Sequence, residues 1–562
     1  MILDILSNIL NNILKELNYE SDSKVIKSNR PDLCDYQFDG VFKLASIYHK
    51  SPIEIGEEIV SKINELDNFN DYFKEVTFVK PGFVNIKISD KLINEILIKM
   101  NDNPKFNIEQ QSDKLFMLDY GGPNIAKPLH IGHLRSPIIG ESIKRIINFK
   151  GYKTISDVHL GDYGLQIGQV IYGIKRDKID VKDITLEYLE RIYPEISSLC
   201  KEDEYVKEKC ASITKELQDG NLEYHKYFEI IKEISGNDVK RIYKYLDINF
   251  DLWYGESDAY KYIDKSYDII NNKNLFEESE GALVVDVKDS NDKKEMPPLI
   301  FKKSNGAYLY GTTDIATILQ REEDYKPDYI LYLADNRQAM HFTQVFRTVK
   351  KAGISDAKLE FLGFGTVNGI DGKPYKTRDG SAPKLDNLFN EVKELFISKK
   401  EENKNMSSED IDKIVNAIIK FADLQNNREK DYIFDIEKFS DVVGKTGPYI
   451  LYTYLRINKI IENKETTTLN NIVYNDYDRN LRLKLLELEL SVNEAFKNRM
   501  PSYIADYLYE LCVLVNSFYQ NNHINNEQDI EKKENYVYIL NLTNKIIKEM
   551  LNILVIDIPS VM

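Results

Sequence analysis

Two strand–helix–strand patterns of the same kind stand far apart in this chain, and that pairing restricts its fold more than any other feature. The first runs from an apolar strand, Leu115 to Tyr120, through a Gly-Gly-Pro turn and a helical stretch, Leu134 to Phe149, into a strand at Lys153 to Val158. The second has a strand at Tyr329 to Leu333, a helix at Met340 to Lys351 and a strand at Lys358 to Gly365. Alternation of this kind predicts a parallel sheet with helices on its faces. Two nucleotide-binding-type halves separated by about 150 residues therefore predict a Rossmann-type α/β domain over 113–390, split by a connective insertion at about 178–300. The insertion reads as charged helices and solvated loops, with Lys288 to Lys294 at the surface.

At 562 residues the chain exceeds what one hydrophobic core supports, so further domains are expected on either side. Residues 1–112 combine amphipathic helices with short alternating strands at Val76 to Val79 and Phe83 to Ile88, predicting a small α+β domain. In the first helix Leu3, Leu6, Leu10, Ile13, Leu14 and Leu17 recur at helical spacing. Residues 391–562 are almost purely helical in period, opening with a capping-box pattern at Ser407 to Asp410. Their stripes, such as Ile414/Ile418/Phe421, Leu483/Leu486/Leu490 and Ile546/Met550/Leu554, predict an all-α helix bundle.

Hydrophobic residues at 42% and charged ones at 30% describe a folded chain and exclude a disordered one. The net charge of −16 means that a polyanion must be held by local basic patches. Four scattered cysteines without a Cys-x-x-Cys pair give no sign of a disulfide framework or a protein-bound zinc. No apolar run is long enough to span a membrane, and a cytoplasmic location is expected.

The chemistry concentrates in Pro123-Asn124-Ile125-Ala126-Lys127-Pro128-Leu129-His130-Ile131-Gly132-His133, between a strand and a helix at the carboxyl edge of the expected sheet, where α/β folds bind ligands. A helix N-terminus favours phosphate, Gly132 permits close approach of a nucleotide, and two imidazoles can donate to charge developing on phosphoryl oxygens. Read as an isolated tetrapeptide, His130 to His133 fits structural histidines as well. Lys373-Pro374-Tyr375-Lys376 by itself fits an exposed turn, Asp119 the end of a strand, and Asp314 the cap of a helix starting near Ile315.

His130-Ile131-Gly132-His133 resembles the HIGH signature of the class I aminoacyl-tRNA synthetases, and its setting resembles the arginyl-tRNA synthetases. The likeness continues through Gly161-Asp162-Tyr163-Gly164, Tyr310-Gly311-Thr312-Thr313-Asp314, Asp335-Asn336-Arg337-Gln338 with His341, and Gly447-Pro448-Tyr449, and covers essentially the whole chain. Lys373 to Lys376 resembles a degenerate KMSKS loop that keeps both lysines. The resemblance implies activation of L-arginine by Mg2+ and ATP and its transfer to tRNA(Arg), by a monomer that needs tRNA bound before activation and carries no editing domain. It implies that His130 and His133 stabilise the α-phosphate and that Lys127, Lys373 and Lys376 serve the departing pyrophosphate. It further implies that Gly132, Gly161, Asp162 and Gly164 lie against ATP. Asn124 and Gln338 would hold the substrate's α-amino and carboxylate end, and Asp119, Tyr310 and Asp314 its guanidinium. For tRNA it implies Tyr449, Tyr452 and Arg456 at the anticodon, Tyr36 and Phe38, flanking Gln37, at the elbow, and a contact by the final Met562. In a chain with 37 tyrosines, packing is the alternative role for each of these rings.

Overall fold

The computed structural model describes residues 1–562 except 22–23, 376–383, 400–401, 403–404, 465 and 467. Its N-terminal sheet is antiparallel, with β1 (Val25–Lys27), β2 (Tyr36–Phe38), β3 (Phe73–Val79) and β4 (Phe83–Ile88) in the order β1-β2-β4-β3. Around it lie α1 (Ile2–Glu16), α2 (Val41–Tyr48), α3 (Pro52–Asn64) and α4 (Asp90–Asp102). The apolar stripe of α1 is buried through Leu6, Leu10, Ile13 and Leu14.

Strands β1 and β2 went unforeseen because three residues are too few for a period to show. The second of them corrects an expectation. Tyr36 and Phe38 alternate inward and are buried, 5% and 0% exposed, paired opposite Ile86 and Val84 of β4. They build the domain core and offer no ring to a nucleic acid; Gln37, on the other face, donates to Asn85 at 2.9 Å.

The central sheet is parallel: β5 (Leu115–Asp119), β6 (Lys153–Asp157), β10 (Tyr329–Asp335) and β11 (Lys358–Phe364) are ordered β11-β10-β5-β6. Strands buried on both faces need continuous apolar runs, which Phe116 to Leu118 and Ile330 to Leu333 supply. The two halves meet where β5 pairs with β10. Helix α5 (Arg135–Phe149) joins β5 to β6. The chain then enters the insertion through α6 (Leu165–Asp177), α7 (Leu186–Glu202), α8 (Glu204–Gln218) and α9 (Leu222–Tyr245). It also contains an unforeseen antiparallel sheet, β7 (Phe276–Ser279), β8 (Ala282–Val285) and β9 (Leu299–Lys302). Val284, Val285, Leu299 and Phe301 are buried, but strands of four residues are too brief to show a period. Helices α10 (Tyr310–Tyr325) and α11 (Ala339–Ala352) flank β10.

Beyond β11 come α12 (Leu385–Lys399) and a bundle of α13 (Ser408–Leu424), α14 (Gly447–Ile461), α15 (Asp476–Leu486), α16 (Leu488–Asn498), α17 (Ser502–Asn521) and α18 (Ile530–Ile553). Ser407 caps α13 by accepting from the Asp410 amide. The Leu483/Leu486/Leu490 stripe is not one helix face: the helix breaks at Glu487, Leu490 is exposed, and Leu481, Leu485, Leu488 and Val492 fill the core instead. Helix α5 is tied to this bundle by Arg135, 1% exposed, which pairs with Asp423 of α13 at 3.0 Å and donates to the Gly365 carbonyl at 2.7 Å. Among the described residues, no helix is long and apolar enough to cross a membrane.

Candidate active site

A cavity of about 580 Å³ opens at the carboxyl edge of the parallel sheet, above the seam between β5 and β10. That seam is where connections diverge to either side, the usual ligand position in an open α/β sheet. The hydroxyl of Ser136 on α5 ties the two strand ends together. It accepts from the Gly121 amide (2.8 Å) and donates to the Leu333 carbonyl (3.0 Å).

His130 and His133 line one side of the cavity, on a short 3-10 turn that leads into α5. Their ring centres are 3.9 Å apart. Nδ1 of His133 accepts from the His130 amide at 3.2 Å, and Nδ1 of His130 accepts from the Gly132 amide at 3.1 Å. Accepting at Nδ1 places the proton of each neutral ring on Nε2. Burial, then the nearby Lys127 ammonium, lowers the His130 pKa. Burial, His130 and Lys127 together push His133 down to about 3. Both rings are therefore neutral Nε2–H donors near pH 7. Lys127 does not line the cavity; its ammonium lies 4.9 Å from the ring centre of Tyr193 on α7.

Asp119, Asn124, Asp314 and Gln338 line the same cavity. Helix α10 begins at Tyr310, so Asp314 lies inside it and caps nothing; its Oδ2 meets Nε2 of His341 at 2.5 Å. Tyr310 opens that helix, 58% exposed and outside the cavity lining. Asp119 Oδ2 is bonded to Arg321 at 2.7 Å, and the same Arg321 nitrogen reaches Asp157 Oδ2 at 2.8 Å. Burial raises the Asp119 carboxyl, opposed by Arg321. Burial would also raise Asp157, but His159 and Arg321 hold it below the usual carboxylate range. Burial would lower His159, yet Asp157, with its carboxylate 3.6 Å away, and Asp119 raise it to about 9.

Three residues expected at ATP have other work. Asp162 is fully buried, accepting from the amide and hydroxyl of Ser257 and paired with Lys232 at 2.7 Å. Gly161 makes room for a neighbour: a Cβ there would lie 2.3 Å from Asn124 Oδ1. Gly164 caps α6, and a Cβ there would meet Gln166 at 2.4 Å. None of the three lines the cavity; the Asp162 side chain is engaged in internal packing that fixes the loop beside Asn124, while Gly161 and Gly164, partly exposed, shape that loop.

From the degenerate loop, Pro374 and Tyr375 reach the cavity while Lys373 sits exposed on a turn; Lys376 lies outside the described residues. Sequence reasoning missed Arg321 and Glu256, since charged residues in helical stretches default to solvent. Burial raises Glu256 to about 7, within electrostatic reach of His159, Asp314 and Asp162. Among the described residues no cluster of three or more His, Cys, Asp or Glu suits a metal ion.

In the helical bundle, Tyr452 is 42% exposed on α14. One turn away Arg456 lies 6.0 Å from its ring centre and 4.6 Å from that of Tyr519. Tyr449 is half-buried, its hydroxyl accepting from Asn516 at 3.0 Å, and Met562 is partly buried against the core.

Residues 93–436 match the family described as tRNA synthetases class I (R), catalytic domain. Residues 450–562 match a DALR anticodon binding domain, and 2–88 an arginyl tRNA synthetase N terminal domain. Similar curated proteins include the arginine–tRNA ligases of Alkaliphilus oremlandii, 38% identical over 99% of each chain, and Agathobacter rectalis, 40% identical over 96% of each. Among solved structures, the arginyl-tRNA synthetase of Plasmodium falciparum superposes with a TM-score of 0.79 at 25% identity, covering 100% of this chain and 99% of that one. That of Thermus thermophilus gives 0.82 at 21% identity over the whole of both, a likeness of fold.

Proposed function

The chain belongs to the arginyl-tRNA synthetases, class I, and from that premise we propose how its cavity carries out the family's reaction, the ATP-driven attachment of arginine to tRNA(Arg). The carboxylate of arginine attacks the α-phosphorus of ATP in line, forming the acyl-phosphate bond of arginyl-adenylate and releasing pyrophosphate. A hydroxyl of the terminal adenosine of tRNA then attacks the carbonyl carbon and AMP departs. Little covalent chemistry falls to the protein, so its contribution is positioning and charge stabilisation.

His130 and His133 offer two neutral Nε2–H donors to the oxygens of the pentacoordinate α-phosphorus, with no charge to lose in the step. Asp314 and Asp119 receive the guanidinium, Asn124 and Gln338 the α-amino and carboxylate end, and Tyr310 closes over the side chain. Lys127, Lys373 and Lys376 answer the charge of the leaving pyrophosphate, and magnesium arrives as part of the nucleotide substrate. Tyr452, Tyr449 and Arg456 form the anticodon face, and Met562 contacts the tRNA. We take the enzyme to act as a cytoplasmic monomer with no resident zinc.

The observation that carries this reading is the meeting of both histidines and both aspartates in one cavity. Its test is arginine-dependent exchange of pyrophosphate into ATP, run with and without tRNA(Arg) and against a panel of amino acids. Exchange is expected with arginine and no other amino acid of the panel, and only with tRNA(Arg) present, and H133A should lower the single-turnover activation rate by about 10² to 10³, the loss typical of one preorganised donor. An H133A rate within threefold of the parent removes the histidine from the mechanism.

A further inference from the structure

Asp119 and Asp157 are direct partners across the parallel pairing of β5 and β6, so two carboxylates lie side by side, Asp119 lining the cavity and Asp157 buried beside it. Like charges so placed cannot both stay ionised in a buried site without compensation. The compensation is Arg321, 2% exposed, whose Nη2 bridges the two carboxylates at 2.7 and 2.8 Å while its guanidinium lies 5.2 Å from the ring centre of Tyr332. Seven residues separate Arg321 from Asp314, two turns of α10, so both side chains leave one face of that helix. The bridge uses Oδ2 of Asp119 and leaves Oδ1 for a ligand.

We propose that Arg321 is a positioning residue for arginine recognition: the protein's own guanidinium, bridging Asp119 and Asp157, holds the Asp119 carboxyl in one orientation, so that its remaining oxygen meets the guanidinium of the substrate. This rests on the reading of the Asp119–Asp314 cavity as the arginine site. The ionisable groups around it are Asp119 on β5, Asp157 and His159 at the end of β6, Asp314 on α10, Tyr332 on β10, His341 on α11 and Glu256 from the insertion. Without Arg321, Asp119 beside Asp157 takes up a proton more readily, and the pocket loses anionic character as pH falls.

The test is aminoacylation by the full-length enzyme with saturating tRNA(Arg), reading KM for arginine and for ATP as ratios to the parent at pH 6.5 and pH 8.5. Ratios cancel the titration of groups common to both proteins. R321Q should raise KM for arginine roughly tenfold or more at pH 6.5 and less at pH 8.5, with KM for ATP within twofold. R321K, which retains the charge but not the planar fork, should fall between the parent and R321Q. The double variant R321Q/D157N has no neighbouring carboxylate left, so its KM for arginine should be raised without the added pH dependence. It also carries the test if R321Q alone does not fold.

A KM for arginine within twofold of the parent in R321Q, or in the double variant, overturns the proposal. So does a parallel rise in both KM values that R321K fails to relieve. D314A separates the two layers of inference. If it raises KM for arginine while R321Q does not, only the role of Arg321 falls; if neither variant raises it, the cavity is not the arginine site.

Discussion

At the scale of single residues, the site works by setting protonation states through burial and neighbours. Two histidines are kept neutral by burial and a nearby lysine, while a third, His159, is drawn toward its charged form by two aspartates. Glu256, raised to about 7 by burial, has a measurable consequence. A bound cation favours the carboxylate, so below pH 7 arginine binding must expel the proton. KM for arginine should therefore fall as pH rises through about 7 and level off above it, and E256Q should flatten that profile. A parent profile that is flat between pH 6 and pH 8 would disconnect Glu256 from the substrate. The histidine motif was legible in the sequence because its place between a strand and a helix is itself a signal; Asp314 came only with the resemblance, since its own boundary suggested a cap for a helix that in fact begins four residues earlier. Arg321 and Glu256 were not legible, since nothing local distinguishes a buried charge on a helix from a solvated one until its partners, distant along the chain, are folded against it. Tyr36 and Phe38 failed in the opposite direction: a matching segment implied contact, while strand alternation turns both rings inward.

At the scale of elements, α5 links the chemistry to the rest of the fold. The histidine turn leads directly into its first turn, where Arg135 is held between Asp423 of α13 and the Gly365 carbonyl after β11. Removing one partner of a buried pair leaves an uncompensated charge, which costs about 3 to 5 kcal/mol. D423A should accordingly lower the thermal melting temperature and the activation rate together, whereas an unchanged melting temperature would show that Arg135 is satisfied by the carbonyls alone. The long, apolar strands and helices that frame the cavity were readable from hydrophobic period. The short strands β1 and β2, the three-stranded sheet of the insertion and the break at Glu487 were not. Each is either too brief to show a period or is fixed by what packs against it.

At the scale of the whole molecule, the histidine cavity and the segment that matches an anticodon binding domain are built from different elements, so variants should separate arginine activation from tRNA recognition. Tyr452 stands exposed on α14 with Arg456 behind its ring, and stacking of a base on such a ring is worth about 1 to 3 kcal/mol. Y452A should raise KM for tRNA(Arg) by roughly 5- to 150-fold and leave KM for arginine within twofold. Equal effects on both would place the residue in general packing. In the proposed reaction one cavity at the seam of a split nucleotide-binding sheet receives both the guanidinium and the α-phosphate. A crystal structure of the enzyme with a non-hydrolysable arginyl-adenylate analogue tests it most directly. The guanidinium is expected at Asp314 and Asp119 with the phosphate facing His130 and His133; an analogue bound elsewhere, or bound with its phosphate away from both histidines, would refute the shared site.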